Sequence, residues 1–173
     1  MKHSDIQAIT SIHCRAFGPK EGAEIAQLAV RFLALPNTLS VSVTRGSVLA
    51  GNVLFTPFVF VEHPKVRCYL LAPNGVLPEF QGHGVGRELM EQGIAAVQAT
   101  GAAAVFVLGV PGFYPRYGFT PTDKQTPFPQ LLTTPEAWMV RELHPGAVQA
   151  LGGATRAVTP FMVPELWDTS GRG

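Results

Sequence analysis

The stretch NGVLPEFQGHGVGRELMEQG, residues 74–93, contains three glycines at alternate positions, between an apolar strand pattern and a helical pattern. These are Gly82, Gly84 and Gly86. A tight turn needs one glycine, or two, because glycine adopts left-handed backbone conformations without steric cost. Three at this spacing therefore indicate a backbone that is left bare so that another group can approach it.

The residues after the loop predict a helix over about residues 84–100, whose apolar side chains fall on one face. The start of a helix carries N–H groups without an intrahelical acceptor, and it is the positive end of the helix dipole. A glycine loop placed directly before such a start predicts a binding site for an anionic group.

Two common phosphate-binding motifs do not match this loop. A Walker A loop ends in Gly-Lys-Ser/Thr, whereas Gly86 is followed by Arg87 and Glu88. The dinucleotide fingerprint has the form Gly-x-Gly-x-x-Gly, whereas these glycines are spaced by two and two. The anion site is therefore not a nucleotide site of either kind.

The chain before the loop predicts two helices and then an antiparallel strand pair. The first helix is expected to be capped by Ser4 and to end at Gly18 and Pro19. Residues 39–45 alternate apolar and polar side chains, which is typical of a strand, and Gly46 provides a turn into a second strand. The connection is too short for a crossover, so the two strands should be antiparallel.

The chain around the loop predicts a strand–helix–strand unit over residues 66–110. Its second strand, AAAVFVLGV at 102–110, is the continuous apolar run typical of parallel strands that are covered on both faces. Residues 136–143, EAWMVREL, predict either a closing strand or a short helix, and residues 166–173 a loose tail. The simplest account is a single α/β domain over residues 1–173.

Composition and charge argue against several classes of protein. The chain has 173 residues, of which 14% are charged and 46% are hydrophobic, and its net charge is +1. This charge balance provides no basic surface for nucleic acid. Cys14 and Cys68 form no metal-binding pair, the N-terminus is too polar for a signal peptide, and no apolar run reaches the ~20 residues of a membrane helix. We expect a cytoplasmic protein with no nucleic-acid or membrane partner.

The glycine loop and a later aromatic segment together resemble the GNAT family of N-acetyltransferases. Gln81, Gly84 and Gly86 match the family's Q/R-x-x-G-x-G/A loop, which here follows Val-Leu-Pro at 76–78. FYPRYGF at 113–119 resembles the family's Tyr-x-x-x-Gly-Phe element. Together with the residues before it, this segment resembles the VLGxPxxYPR[FY]GF element of a small bacterial branch of the family. The resemblance covers most of the chain.

This resemblance implies a fold, a cosubstrate and a set of site residues. The fold is a GNAT-like α/β fold, with a mixed, mostly antiparallel central sheet, a splayed parallel strand pair and flanking helices. The cosubstrate is acetyl-CoA, without a metal, and Tyr114 holds the position of the general acid. The implied cofactor-binding residues are Asn74, Gly75 and Val76 for the thioester and pantetheine, and Gly82, His83, Gly84, Val85, Gly86 and Arg87 for the pyrophosphate.

Two residues weaken the strand before the loop in a way that suits this interpretation. Pro73 lacks an N–H and Gly75 lacks a side chain, and both weaken a central strand. They are appropriate for a strand end that pairs with a ligand. The N–H of Val76 is the expected donor to the thioester carbonyl. No residue has the spacing of a general base, so an ordered water is at least as suitable, and His13 is expected to be structural.

Three functions remain open at this point. The first is acetyl transfer to a primary amine of a small molecule or a protein. An enzyme of this kind could also form a homodimer. The second is a non-catalytic acyl-CoA-binding or sensing module, which would keep the loop but lack acid and base. The third is an interaction domain whose loop binds nothing. Tyr114 favours the enzyme, while the missing base favours the sensing module.

Overall fold

The computed structural model describes residues 2–171. Its helices and strands are connected by turns and short 3-10 segments. In chain order they are α1 (His3–Leu33), β1 (Leu39–Arg45), β2 (Val48–Phe60), β3 (Cys68–Val76), α2 (Val85–Ala99), β4 (Ala104–Leu108), β5 (Thr120–Pro121), β6 (Trp138–Glu142) and β7 (Thr155–Ala157).

The long element α1 is two helical stretches that meet at a kink. Gly18 has φ +80° and ψ −177° inside it, and Pro19 follows. Proline suits the first turn of the second stretch, because the N–H that it lacks would have no helical acceptor there. The predicted two helices are thus confirmed. The predicted cap at Ser4 is wrong, because Lys2 holds the N-cap position and no side chain caps this end.

The described strands form one seven-stranded sheet in the order β1-β2-β3-β4-β6-β5, with β7 paired to β2. β1 with β2, β2 with β7, β4 with β6 and β5 with β6 are antiparallel pairs. β3 and β4 are parallel, from Cys68 beside Ala104 to Leu70 beside Phe106. Their register stops there, although β3 continues to Val76. The predicted mixed, mostly antiparallel sheet with one parallel pair is confirmed.

The chain divides into two compact units. The first holds the residues up to Phe55 together with Ala72–Ala96, and the second holds Thr56–Leu71 and the residues from Val97 onward. The expectation of a single domain stays a prediction.

The first unit has a core between α2 and β2. Leu89, Met90 and Ile94 of α2 are buried, with Leu89 and Met90 fully so. Gly93 lets the helix approach the sheet, because a Cβ at this position would stand 2.7 Å from Cζ of Phe55. This close packing fixes the helix whose N-terminus follows the glycine loop.

The second unit has an aromatic core. The ring of Phe106 lies 5.1 Å from that of Phe58 and 5.3 Å from that of Trp138, between centroids, and Trp138 lies 5.6 Å from Trp167. Trp167 is fully buried and donates to the carbonyl oxygen of Phe161 at 2.7 Å. At Trp167 the predicted loose tail is therefore wrong, because burying an indole is strongly favourable. Residues 172–173 lie outside the described part.

Candidate active site

The loop predicted to bind an anion lies between β3 and α2 in the first unit. After β3 the N–H of Leu77 donates to the carbonyl oxygen of Ala50 at 2.8 Å, and a 3-10 turn follows at Pro78–Phe80. Residues 81–84 form the loop, and α2 begins at Val85. A hydrogen bond to the neighbouring strand β2 thus anchors the chain where it leaves the sheet.

Gly82 and Gly84 have φ values of +80° each, which only glycine adopts without strain. A Cβ at Gly82 would meet no atom within 4 Å, and one at Gly84 would meet only Nη2 of Arg45, at 4.0 Å. These glycines are therefore required by the backbone conformation, and the space beside them is open. This supports the sequence interpretation of a bare backbone.

The first turn of α2 presents amide groups next to this open space. The N–H of Glu88 donates to the carbonyl oxygen of Gly84, at 3.1 Å, across the start of the helix. In general the first N–H groups of a helix lack an acceptor inside the helix, and Val85 and Gly86 occupy these first positions of α2. The side chain of Val85 is buried, while His83 and Arg87 are exposed. Arg87 forms a surface ion pair with Glu91 at 2.9 Å, and pairs of this kind contribute little.

Arg45, at the end of β1, contacts this loop, although no sequence pattern predicts this contact. Its Nη1 donates to Oε2 of Glu88 at 2.7 Å and to the carbonyl oxygen of Thr44 at 3.1 Å. Its Nη2 donates to the carbonyl oxygen of His83 at 3.1 Å. The loop therefore has a cationic support from a distant part of the sequence.

Gly75, near the end of β3, lies against the imidazole of His13. A Cβ at Gly75 would stand 2.8 Å from Nδ1 of His13 and 3.2 Å from Cβ of Ala16. The absence of a side chain therefore has a packing reason, since it makes room for His13. This reason adds to the weakening of the strand that the sequence suggested.

His13 is fully buried and hydrogen-bonded to Asn52 of β2, with Nε2 and Oδ1 2.8 Å apart. The amide nitrogen of Asn52 donates to the hydroxyls of Ser40 and Ser42 and to the carbonyl oxygen of Val41. The amide oxygen is therefore the acceptor for His13, and Nε2 carries the proton. Burial lowers the pKa of His13 to about 4, against the opposing effect of the Asn52 hydrogen bond, so the ring is neutral near pH 7.

Two buried acceptors near the end of β3 have no hydrogen-bond partner. They are Nδ1 of His13 and Oδ1 of Asn74. A buried acceptor without a donor costs about 1–3 kcal/mol. Asn74 is only half-buried as a residue, and it immediately precedes Gly75. The end of β3 thus carries a buried oxygen that no described donor satisfies.

Tyr114 lies in the second unit, at the first position of a 3-10 turn that runs to Tyr117. It is 8% exposed, and its ring packs edge-on against Phe113 and Phe119, at centroid distances of 5.0 and 5.6 Å. A side chain at Gly109 would overlap the Tyr114 ring. The position of the ring is thus fixed by packing, and the acid role of the hydroxyl stays a prediction.

Neither a metal centre nor a membrane helix is found in the described chain. Within residues 2–171, no three His, Cys, Asp or Glu side chains are grouped so as to hold a metal ion. In the same part of the chain, no helix combines the length and the apolar character that crossing a membrane requires.

Comparison with known proteins places the chain in a family. A family model described as an acetyltransferase (GNAT) domain matches residues 1–122. The uncharacterized N-acetyltransferase YjhQ of Escherichia coli K12 is 36% identical over 146 residues, which cover 81% of this chain and 80% of that protein. The chain therefore belongs to the GNAT acetyltransferase family. The predicted class, an acetyl-CoA-dependent N-acetyltransferase, is confirmed at this level.

Two solved structures share the fold. The GNAT family N-acetyltransferase YhbS from Escherichia coli, in complex with CoA, has a TM-score of 0.76 at 24% identity and covers 93% of this chain and 88% of its own. A GNAT family acetyltransferase from Brucella melitensis, in complex with acetyl-CoA, has a TM-score of 0.72 at 22% identity and covers 93% of this chain and 94% of its own.

Proposed function

We propose that this protein transfers the acetyl group of acetyl-CoA to a primary amine of a small molecule or a protein, with the pyrophosphate of coenzyme A bound by residues 82–87. The observation that carries the proposal is the loop geometry. Gly82 and Gly84 hold left-handed conformations beside open space, directly before the first turn of α2. The CoA and acetyl-CoA bound to the two structural relatives support this choice of anion.

The strand end of β3 would hold the thioester and the pantetheine arm. Its pairing with β4 stops at Leu70, so Asn74, Gly75 and Val76 lie beyond that register. Oδ1 of Asn74 is a buried acceptor without a partner, and a pantetheine amide is a suitable donor to it. The N–H of Val76 would donate to the thioester carbonyl and so favour attack on its carbon.

Tyr114 would supply the proton that the leaving thiolate takes up. The packing of its ring in the second unit restricts where its hydroxyl can be, which general acid catalysis requires. Holding the amine and the thioester in line supplies a large part of the rate by itself.

Deprotonation of the amine is assigned to an ordered water, because neither Glu79 nor His13 is a suitable base. Glu79 beside the loop is held by Arg15 through two hydrogen bonds of 2.9 and 2.7 Å, and this contact lowers the pKa of its carboxyl. His13 has a pKa of about 4 and is fully buried. A group with so low a pKa removes a proton from an ammonium inefficiently.

The lack of a dedicated base is also what favours the second candidate, a non-catalytic acyl-CoA sensor. Release of free thiol from acetyl-CoA, measured over a panel of primary amines and lysine-containing peptides, separates the two. Turnover with any acceptor supports the enzyme, whereas binding without turnover across the panel supports the sensor. The cytoplasmic location and the homodimer stay predictions.

The loop assignment is tested by two matched glycine variants. Gly84 and Gly101 have the same φ of +80°, and neither would bring a Cβ closer than 4.0 Å to another residue. Gly84→Ala and Gly101→Ala therefore impose similar backbone strain, at opposite ends of α2. Calorimetry should show weaker acetyl-CoA binding for Gly84→Ala alone. Equal affinities for both variants and the wild type would refute the loop assignment.

A further inference from the structure

Arg45 joins three groups around the proposed pyrophosphate loop. Its guanidinium donates to the carboxylate of Glu88, to the carbonyl oxygen of Thr44 and to the carbonyl oxygen of His83. Arg45 ends β1, and β1 is held in register by its pairing with β2. The side chain of Arg45 thus also ties the loop to the sheet, from a position 38 residues away in sequence.

The hydrogen bond to His83 fixes the orientation of one loop peptide. In a trans peptide, the carbonyl oxygen of one residue and the N–H of the next point in opposite directions. Because Arg45 holds the oxygen of His83, the N–H of Gly84 points away from the guanidinium. The glycines on both sides of His83 allow the backbone many conformations. Because the hydrogen bond from Arg45 restricts this peptide before an anion binds, less conformational entropy is lost on binding.

The ion pair to Glu88 removes a charge that would oppose an anion. Glu88 lies in the first turn of α2, beside the amide groups proposed to bind the pyrophosphate. The side chains of Arg45 and Glu88 are 31% and 43% exposed, so this carboxylate is only partly screened by water. Without Arg45 it would repel a diphosphate at close range.

We propose that Arg45 is the positioning residue of the pyrophosphate-binding loop. It orients the His83–Gly84 peptide and neutralises Glu88. This inference rests on the proposed function, since it concerns how the same loop is prepared for coenzyme A.

The test compares Arg45→Met, Glu88→Gln and the double variant with Arg156→Met, a control at an exposed strand arginine of β7. Dissociation constants are measured by calorimetry for CoA and dephospho-CoA, which share the pyrophosphate. Arg45→Met should weaken binding of both ligands about ten-fold or more, the effect of losing a charged hydrogen bond. The affinity for S-acetylpantetheine, which has no pyrophosphate, should stay at the wild-type level.

The double variant separates the two parts of the role. Glu88→Gln alone should bind CoA at least as tightly as the wild type. Adding Arg45→Met to it leaves no unpaired carboxylate, so any remaining loss reports the hold on His83. If the double variant recovers the full affinity for CoA, the hydrogen bond from Arg45 to His83 does not contribute to binding. Neutralisation of Glu88 is then the only role of Arg45.

The other outcomes decide the proposal as a whole. Wild-type affinity in Arg45→Met would overturn it, and so would an equal loss for S-acetylpantetheine, which would indicate general damage to the fold. Arg45→Lys keeps the charge and the fold and should give an intermediate affinity. If the wild type itself binds no CoA, the proposed function fails and this inference fails with it; if the wild type binds and the variants do not differ from it, only this inference fails.

Discussion

Acidification should destabilise this protein through His13. The folded state holds the pKa of His13 at about 4, below the ordinary value of 6.5, because burial disfavours the charged ring. The unfolded chain therefore binds a proton at a higher pH than the folded one. The stability that depends on a neutral His13 is complete above about pH 6.5 and is lost as the pH falls towards 4.

The size of this effect follows from the two pKa values. Each pH unit between them changes the free energy of unfolding by about 1.4 kcal/mol, so the loss between pH 6.5 and pH 4 is about 3 kcal/mol. This is a large fraction of the 5–15 kcal/mol that is typical of domains. A Cβ at Gly75 would stand 2.8 Å from Nδ1 of His13, so the ring is closely packed on this side.

Urea unfolding followed by circular dichroism at pH 7, 6, 5 and 4 measures the effect. The wild type should lose about 3 kcal/mol more than His13→Gln over this range. His3→Gln, at an exposed histidine of the same helix, should follow the wild type. The three proteins contain the same carboxylates, so the contribution of these groups cancels in the comparison. Parallel curves for the wild type and His13→Gln would refute the assignment of a buried neutral imidazole.

Three further predictions concern packing and catalysis. Gly75→Val should destabilise the fold by about 1–3 kcal/mol, because its branched side chain would meet the His13 ring; a urea midpoint equal to that of the wild type would contradict this. Trp167→Ala should lower the free energy of unfolding by about 3–5 kcal/mol in the same assay, since the indole is fully buried. A decrease below about 1 kcal/mol would instead support the interpretation of a loosely packed tail. Tyr114→Phe should lower kcat and spare acetyl-CoA affinity, and unchanged turnover would remove the acid role.

The local features of this fold are determined by short stretches of sequence. Gly18 followed by Pro19 predicts the kink in α1, because one residue permits a positive φ and the other lacks the N–H of a helix interior. The apolar run that became β4 predicts a strand covered on both faces, and its partner β3 is parallel to it. The glycine spacing before α2 predicts a bare loop. Each of these signals depends on neighbours within a few residues.

The tertiary structure decides the groups that come from distant segments. Nη2 of Arg45 reaches the carbonyl oxygen of His83, and His13 meets Asn52 across 39 residues. Neither pair has a spacing that sequence patterns detect, because each depends on the register of β1 with β2 and on how α1 and α2 pack against them. The same holds for Trp167, whose burial depends on rings far away in the chain. Sequence determined which backbone the glycines leave bare, while folding decided which side chains support that backbone, since long-range contacts form only when the whole sheet is assembled.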